Sequence, residues 1–336
     1  MRVIKIVVLI VFLLVLAVLS LIYFLPDKAH MEREIVIDAP ASKVYQDLIS
    51  FRNFNKWSPW AAKDPNAQYT YTGADFGPGA VIAWTSEHPD LGDGSLEILL
   101  TEKSKRVIWE MKFDGYESTP TSSFLLNPVE ESKTKVVWTY DEEGIKGFSK
   151  IFMLGIDGFL GGDWESGLAM LKERVESLPN FSLKIFPEMV PGFHYLGIRD
   201  SSLNEPSLVD MKMTSDYGEI NAYIRAYDLI VTGKPFAMYT KSGDFNIEFT
   251  CGVPVMETDT IYHDFLQLNY QDSTQSLVGE YFGSYDGLAQ AHEDIIKFAS
   301  YYDFEIIGLS WETYITGYDS ELDTNQWQTN IYYPVK

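Results

Sequence analysis

An uninterrupted apolar run near the N-terminus restricts this chain more than any other feature. Ile6 to Leu25 reads IVVLIVFLLVLAVLSLIYFL, with Ser20 and Tyr23 as its polar interruptions. Twenty helical residues at about 1.5 Å each span about 30 Å, the thickness of a bilayer's hydrocarbon core. The run therefore predicts either a transmembrane helix or a signal sequence.

The end of this run favours an anchor that stays attached. A cleaved signal peptide has a shorter apolar run followed by small residues, whereas this one ends in Tyr-Phe-Leu-Pro. We therefore expect residues 1–26 to form a single-pass transmembrane anchor. Arg2 and Lys5 precede the span, and positive residues stay in the cytoplasm. The rest of the chain is then expected on the extracytoplasmic, periplasmic side of a bacterial cell, although Lys28 and Arg33 weaken this charge bias.

Charge and composition argue against several classes of function. The formal net charge of −22 opposes nucleic-acid binding and adhesion to anionic lipid, because both need a basic surface. Cys251 is the one cysteine, so an internal disulfide framework is excluded. The five histidines show no metal-binding spacing and stand at positions 30, 88, 194, 263 and 292. Gly161-Gly162 lacks the Lys and Ser or Thr of a phosphate-binding loop. We expect no metal and no cofactor.

Residues 32–178 read as an α+β domain. Ile35 to Ile37 make a short strand, and a helix starts at Pro40. Strands then follow, separated by Gly and Pro, around 80–84, 95–100, 107–113, 122–126 and 135–140. Such neighbours are most simply antiparallel. From Asp163 to Leu178, apolar residues recur at steps of three and four, which predicts a long helix lying on the sheet.

This order of elements resembles a known domain family. The stretches IDAPASKVYQDL, FNKWSPW and GPGA, with the closing helix, resemble the polyketide cyclase/dehydrase branch of the START-like (SRPBCC) superfamily. The resemblance implies a helix-grip fold, a curved antiparallel sheet around a long C-terminal helix with a hydrophobic cavity between them. Trp60, Trp84 and Trp109 could line that cavity. They could equally be ordinary core aromatics.

The second half of the chain contains an internal repeat of two similar units. One unit runs from FHYLGIRD through the helix DYGEINAYIRAYDLI to PFAMYT and FNIEFTCGVPV. A second runs from SLVGEYFGSY through DGLAQAHEDIIKFAS to LSWETYIT and WQTNIYYPV. Two strand-helix-strand-strand units predict a pseudo-twofold domain whose halves meet along a groove, and such grooves often bind ligands.

Residues 185–336 resemble the gyrase-inhibitory-protein-like (GyrI-like) family, which includes the effector-binding domains of multidrug-responsive and AraC-type activators. The stretches that carry the resemblance are GEYFGSYDGLAQAHEDI, IIGLSWETYITGY and WQTNIYYPV. In that family a strand glutamate lies at the base of an aromatic pocket and meets cationic or polarised ligands. Glu312 occupies the matching position.

Strand periodicity places Tyr314 on the same face as Glu312 and Trp311 on the other. A carboxylate isolated among rings is costly to bury and its pKa rises, so a cationic ligand would relieve the cost. Each well-placed ring would add about 0.5 to 2 kcal/mol of cation–π attraction. The candidate rings are those of Tyr195, Tyr281, Tyr314, Trp327 and Tyr332. A solvated or hydrogen-bonded structural Glu312 is the alternative.

Three functions fit these features. The first is a membrane-anchored protein that binds small amphipathic or cationic aromatic molecules through Glu312, without catalysis. The second is a hydrolase of strained or electrophilic small molecules, with Glu312 as general base and Tyr314 as donor. The third is a hydrophobic-ligand or lipid carrier acting through the START-like domain. The first is favoured, because two cavity-forming folds behind a membrane anchor, with no helix-turn-helix and a strongly acidic balance, look like a binding device. No Ser-His-Asp or paired-carboxylate pattern stands out in the first domain.

Overall fold

The computed structural model describes residues 2–116, 118–242, 245–257, 265–318 and 320–336. The chain divides into two compact units, one ending at Pro179 and the other beginning at Asn180. Both units mix helices with an antiparallel sheet, and an apolar helix stands at the N-terminus. The predicted α+β class is confirmed at this level.

The N-terminal helix α1 spans Arg2–Phe24. Among residues 4–24, Ile22 is the one buried side chain. In the described part of the chain, α1 is the one helix long and apolar enough to cross a membrane. Its length and composition fit a membrane anchor and a signal sequence alike.

The rest of the first unit is a seven-stranded antiparallel sheet with helices. The strand order is β1-β7-β6-β5-β4-β3-β2. The strands are β1 Lys28–Ile37, β2 Gln68–Gly73, β3 Ala80–Thr85, β4 Gly94–Glu102, β5 Arg106–Phe113, β6 Thr121–Glu130 and β7 Lys133–Glu143. The helices are α2 Ala41–Leu48, α3 Phe51–Phe54, α4 Pro59–Lys63, α5 Ser149–Met153 and α6 Ile156–Ser177.

Helix α6 packs on this sheet through the predicted stripe. Its buried residues include Trp164, Leu168, Leu171 and Val175. The indole of Trp164 stacks on that of Trp138 from β7, with ring centroids 4.5 Å apart. The helix begins at Ile156, seven residues before the predicted start. The early turns were missed because they are rich in glycine, which is a poor helix former.

The three tryptophans proposed to line a cavity in this unit are packed against other rings. Trp109 is 1% exposed, and its ring centroid lies 4.8 Å from that of Phe124. Trp60 meets Trp164 edge-on at 5.6 Å, and Trp84 packs against Phe113 at 6.3 Å. A pocket of about 40 Å³ in this unit is lined by other residues, among them Phe51 and Tyr71.

The second unit is built on an eight-stranded antiparallel sheet and two long helices. The strand order is β12-β9-β11-β10-β14-β15-β13-β8. The strands are β8 Lys184–Val190, β9 Phe193–Leu203, β10 Phe236–Ser242, β11 Asn246–Pro254, β12 Leu266–Gln271, β13 Thr274–Phe282, β14 Trp311–Thr316 and β15 Gln328–Pro334. The helices are α7 Pro206–Ala226 and α8 Leu288–Tyr301, with 3₁₀ turns at Tyr285–Gly287 and Thr324–Gln326.

Both helices lie on one face of this sheet. Helix α7 packs on β9 and β11, and α8 packs on β13. The core under α7 contains Leu196, Ile220, Phe249 and Val253. The opposite face carries a smaller cluster of Tyr195, Phe236 and Trp311. Side chains of each strand therefore alternate between a helix-covered face and this second face, as the pleat requires.

Candidate functional site

Glu312 lies at the centre of the second sheet, on its helix-covered face. In the register of β14 it is opposite Ala237 of β10 and Ile331 of β15. Both partners are completely buried, and Glu312 itself is 3% exposed. A carboxylate in such a place is stable only when other groups bond to it.

Two tyrosines satisfy one oxygen of this carboxylate. The hydroxyl of Tyr314 donates to Oε2 at 2.9 Å, and the hydroxyl of Tyr239 donates to the same atom at 3.1 Å. Burial, and then the nearby charge of Glu312, raise the pKa of each phenol well above its usual range. Both hydroxyls therefore keep their protons and act as donors.

The other oxygen meets a histidine of α8. Nε2 of His292 lies 2.8 Å from Oε1 of Glu312. Nδ1 of the same ring lies 2.7 Å from the hydroxyl of Tyr333 on β15. Hydrogen-bonding contacts thus link the carboxylate through the imidazole to Tyr333. The sequence argument assumed an isolated carboxylate, and that assumption was wrong.

A cavity of about 930 Å³ opens above Glu312. It lies between α7 and α8 and over β10 and β14, and its size suits a drug-sized molecule. The lining mixes apolar and aromatic side chains with polar ones. The apolar and aromatic members include Val209, Met213, Tyr217, Tyr239, Ile247, Tyr285, Leu288, Tyr314 and Tyr333, and the polar members include Asn204, Thr214, Asn221, His292, Ser310, Glu312, Thr316 and Ser320. Asp210 and Lys234 also line it, and both are exposed.

Of the predicted site residues, Glu312 and Tyr314 come together in this cavity, whereas Tyr332 and Tyr195 lie on the other face of the sheet. Tyr332 is paired with Trp311 and stacks on it at 4.8 Å. Tyr195 packs against Phe236 at 5.0 Å. The neighbour of Tyr332 in sequence, Tyr333, faces Glu312 instead, because a shift of one residue changes the face.

Tyr281 and Trp327 also lie away from the cavity lining. Tyr281 donates through its hydroxyl to the carbonyl of Ser284 at 2.8 Å and so holds the turn before α8. Trp327 donates from Nε1 to the carbonyl of Glu321 at 2.9 Å. Its ring tilts against Tyr285 at 5.1 Å, and Tyr285 is the ring that lines the cavity. Trp327 therefore supports Tyr285 from behind and does not line the cavity itself.

Sequence reasoning did not place His292, Tyr239 and Tyr333 in the site, although the first two had a signal. His292 stands on the apolar face of a predicted helix, where a polar ring needs a partner. Tyr239 follows Ala237 by two residues as Tyr314 follows Glu312, so the internal repeat pointed to it. Tyr333 had no such signal, because its face depends on the pairing of Ile331 with Glu312, which only the structure shows.

A metal centre finds no support in the described residues. Within the described ranges no group of three or more His, Cys, Asp or Glu side chains is placed to hold a metal ion. His263, one of the five histidines, lies outside the described residues. The polar atoms that converge on Glu312 suit an organic ligand better than a metal, since one carboxylate and one imidazole are too few ligands.

One protein-family model matches most of the first unit. Residues 28–176 match the family model described as polyketide cyclase / dehydrase and lipid transport. The resemblance found in the sequence for this half is thereby confirmed. The match covers less than half of the chain. No curated protein matches the chain.

Several solved structures are similar to parts of the chain. The C-terminal domain of EcmrR is 16% identical; the alignment covers 46% of this chain and 98% of that one, with a TM-score of 0.40. A norcoclaurine synthase point mutant from Thalictrum flavum, in complex with a transition-state analogue, is 13% identical, with coverage of 44% and 94% and a TM-score of 0.35. The Aha1 dimer from Colwellia psychrerythraea is 20% identical, with coverage of 44% and 96% and a TM-score of 0.32.

Proposed function

We propose that this chain is a membrane-anchored protein that binds a small amphipathic or cationic aromatic molecule in the cavity of its second unit. The observation that carries the proposal is the buried carboxylate of Glu312 on the floor of a cavity of about 930 Å³. A drug-sized cavity with a few convergent polar groups is the usual form of a ligand site. Glu312 would anchor the ligand.

The hydrogen bonds around Glu312 favour a positively charged or proton-donating ligand. A neutral imidazole with its proton on Nε2 satisfies both contacts of His292, because it donates to Glu312 and accepts from Tyr333. With that tautomer, three donors face the carboxylate of Glu312, from His292, Tyr239 and Tyr314. Tyr217, Tyr285 and Tyr314 supply rings beside it, and cations are attracted to such rings.

We further propose that residues 185–336 form a GyrI-like effector-binding domain made of two related halves. Asp228 and Asp303 each stand two residues after a long helix with positive φ, 51° and 60°. An added Cβ at Gly233 would meet Pro254 at 3.0 Å, and one at Gly308 would meet Pro334 at 3.0 Å. The strand order of the sheet reads symmetrically about the β10–β14 pair. On this proposal, the ligand site lies where the halves meet.

We place residues 1–26 in the membrane as a single span and the START-like residues 32–178 after it. The charge bias around α1 puts both soluble parts on the extracytoplasmic side. The indoles of the first unit pack against other rings, which supports placing the ligand in the second unit.

A comparison of two dyes tests the anchor role of Glu312. The full-length protein in detergent is titrated with a flat cationic dye and with a neutral dye of similar shape, and binding is followed by fluorescence anisotropy. Glu312→Gln keeps the size of the side chain and removes its charge. We expect it to weaken the cationic dye about tenfold or more, about 1.4 kcal/mol, and to leave the neutral dye unchanged.

Glu293→Gln is the matched control, because Glu293 is exposed on α8 beside His292 and forms a surface ion pair with Lys297. It should leave both dyes unchanged. Equal affinity of wild type and Glu312→Gln for the cationic dye would refute the anchor role. Retained binding of the neutral dye shows that the variant is folded.

The polar line through His292 also favours a second candidate, a hydrolase of strained or electrophilic molecules. Glu312 would take a proton from water as the water attacks the electrophilic carbon, and Tyr314 would give a proton to the atom that leaves. Mass spectrometry of a cyclopropane-bearing electrophile incubated with the protein separates the two candidates. Product gained by addition of water, and lost in Glu312→Gln, supports the hydrolase; recovery of the intact compound supports binding alone.

A further inference from the structure

A patch of exposed apolar side chains lies on the segment that joins β7 to α6 and on the first turn of α6. It consists of Phe148, Ile151, Phe152, Leu154 and Phe159, and we call it the apolar patch. Phe148 is 70% exposed, Leu154 63% and Phe159 61%. The rings of Phe152 and Phe159 stack with centroids 4.7 Å apart. Contiguous apolar groups on a surface mark a contact with a partner or a membrane.

The patch is held rigidly by buried neighbours. Helix α5 turns Met153 into the core, and α6 begins with Ile156, which is also buried. The residues between and around these two anchors must then point away from the core. The exposed side chains therefore follow from the fold of the segment.

The patch stands beside the point where α1 ends. Nζ of Lys150 in α5 donates to the carbonyl of Leu25 at 2.8 Å. The backbone N–H of Ile145 donates to the carbonyl of Asp27 at 2.9 Å. Since Leu25 directly follows α1, the patch is tied to the end of the apolar helix.

The local charge suits a lipid surface, unlike that of the whole chain. The formal net charge of the chain is −22, but the segment from Gly144 to Gly162 contains Lys146, Lys150 and a single acidic residue, Asp157. Asp157 is paired with Arg33 at 2.7 Å. Phenylalanine rings flanked by lysines are typical of segments that enter the membrane interface.

We propose that the apolar patch inserts into the interface of the same bilayer that α1 spans, so that two contacts hold the first unit against the membrane. This inference rests on the proposed anchor role of α1. The occupant of the patch is lipid, because the patch begins where the membrane-spanning helix ends. A flexible tether alone would leave these rings in water.

Depth-dependent quenching tests the inference. Single cysteines are introduced in the full-length protein at Val15, Phe152 or Glu131, labelled with a fluorophore, and reconstituted into phosphatidylcholine/phosphatidylglycerol vesicles. Val15 reports on α1. Glu131 is exposed next to the start of β7, and the eleven residues of β7 separate it from the patch by about 36 Å. The native Cys251 is fully buried and stays unlabelled.

Lipid-attached nitroxide should quench the labels at Val15 and Phe152 at least twice as strongly as the label at Glu131, and aqueous iodide should show the reverse. If the lipid nitroxide quenches the label at Val15 but iodide quenches the label at Phe152, the inference is overturned and the anchor role of α1 stands. A Val15 label open to iodide would overturn the anchor proposal and, with it, this inference. The two failures are therefore distinguishable.

Discussion

Two buried carboxylates of the second unit are in opposite electrostatic settings. Glu312 receives hydrogen bonds from two tyrosines and contacts His292. Asp216 of α7 is 4% exposed, and its Oδ2 has no hydrogen-bond partner among the described residues. Burial, followed by the charge of Asp200, raises the Asp216 pKa from 3.8 to about 6. Three donors therefore surround the carboxylate of Glu312, whereas Asp216 keeps one oxygen without a partner and has a raised pKa.

Asp216 makes the stability of the second unit depend on pH. Because its folded-state pKa exceeds the unfolded value, the bound proton stabilises the fold. This contribution is complete below about pH 4 and is lost as the pH rises through about 6. Asp216→Asn should therefore stabilise the protein at pH 7.5 by about 1 to 2 kcal/mol once solvent screening is allowed for, and by little at pH 4.

Urea unfolding of wild type and Asp216→Asn at the two pH values measures this difference. Asp210→Asn serves as the control, since Asp210 is exposed on the same helix. It should leave stability unchanged within about 0.5 kcal/mol. If Asp216→Asn raises the free energy of unfolding by the same amount at both pH values, the charge of Asp216 does not affect stability.

At the scale of elements, two glycines of α6 should respond oppositely to alanine. An added Cβ at Gly167 would lie 2.7 Å from the Trp138 ring and 3.2 Å from Pro59, whereas one at Gly162 meets nothing within 4 Å. Gly162→Ala should stabilise the first unit by about 0.5 to 1 kcal/mol through helix propensity. Gly167→Ala should destabilise it by about 1 to 3 kcal/mol through overpacking.

Thermal melts followed by circular dichroism give the sign of the stability change in each variant. Each glycine is the control for the other. Destabilisation by both substitutions would mean that α6 tolerates no added methyl group. Stabilisation by both would mean that the Trp138 ring moves aside freely. The first result would contradict the open space at Gly162, and the second would contradict the close packing of Gly167 against Trp138.

Elements with a strong periodic pattern could be predicted, and those defined only by their partners could not. The stripe in α6 and the alternation in β5 and β14 gave both element type and buried face. Strands β2, β8 and β12 were missed. Short polar strands such as Gln68–Gly73 have no pattern of their own and form by pairing, and Pro187 interrupts the apolar run of β8. The choice of Tyr332 over Tyr333 failed for a related reason: the register of β15 depends on its partners.

At the scale of the whole molecule, the order of an apolar N-terminal helix, a polyketide-cyclase-like part and a second part could be read from the sequence, but the shape of the candidate site could not. Glu312 and Tyr314 are two residues apart on one strand, so their proximity follows from strand geometry. Tyr239 and His292 come from β10 and α8, far away along the chain. Their meeting depends on the complete sheet, which no local pattern encodes.

The division into two units predicts that the second unit binds ligand by itself. Every strand of its sheet, both of its helices and all described residues lining the cavity lie after Asn180. Its buried cluster under α7 is likewise formed within the unit, and domains with their own core fold independently.

A fragment starting at Asn180 should therefore unfold cooperatively and bind the cationic dye within about threefold of the full-length affinity, a difference of about 0.7 kcal/mol. Glu312→Gln in the fragment should reproduce the loss expected in the full-length protein. A folded fragment with no dye binding, beside a full-length protein that binds, would place part of the site in the first unit. That result would contradict a cavity built from the second unit alone.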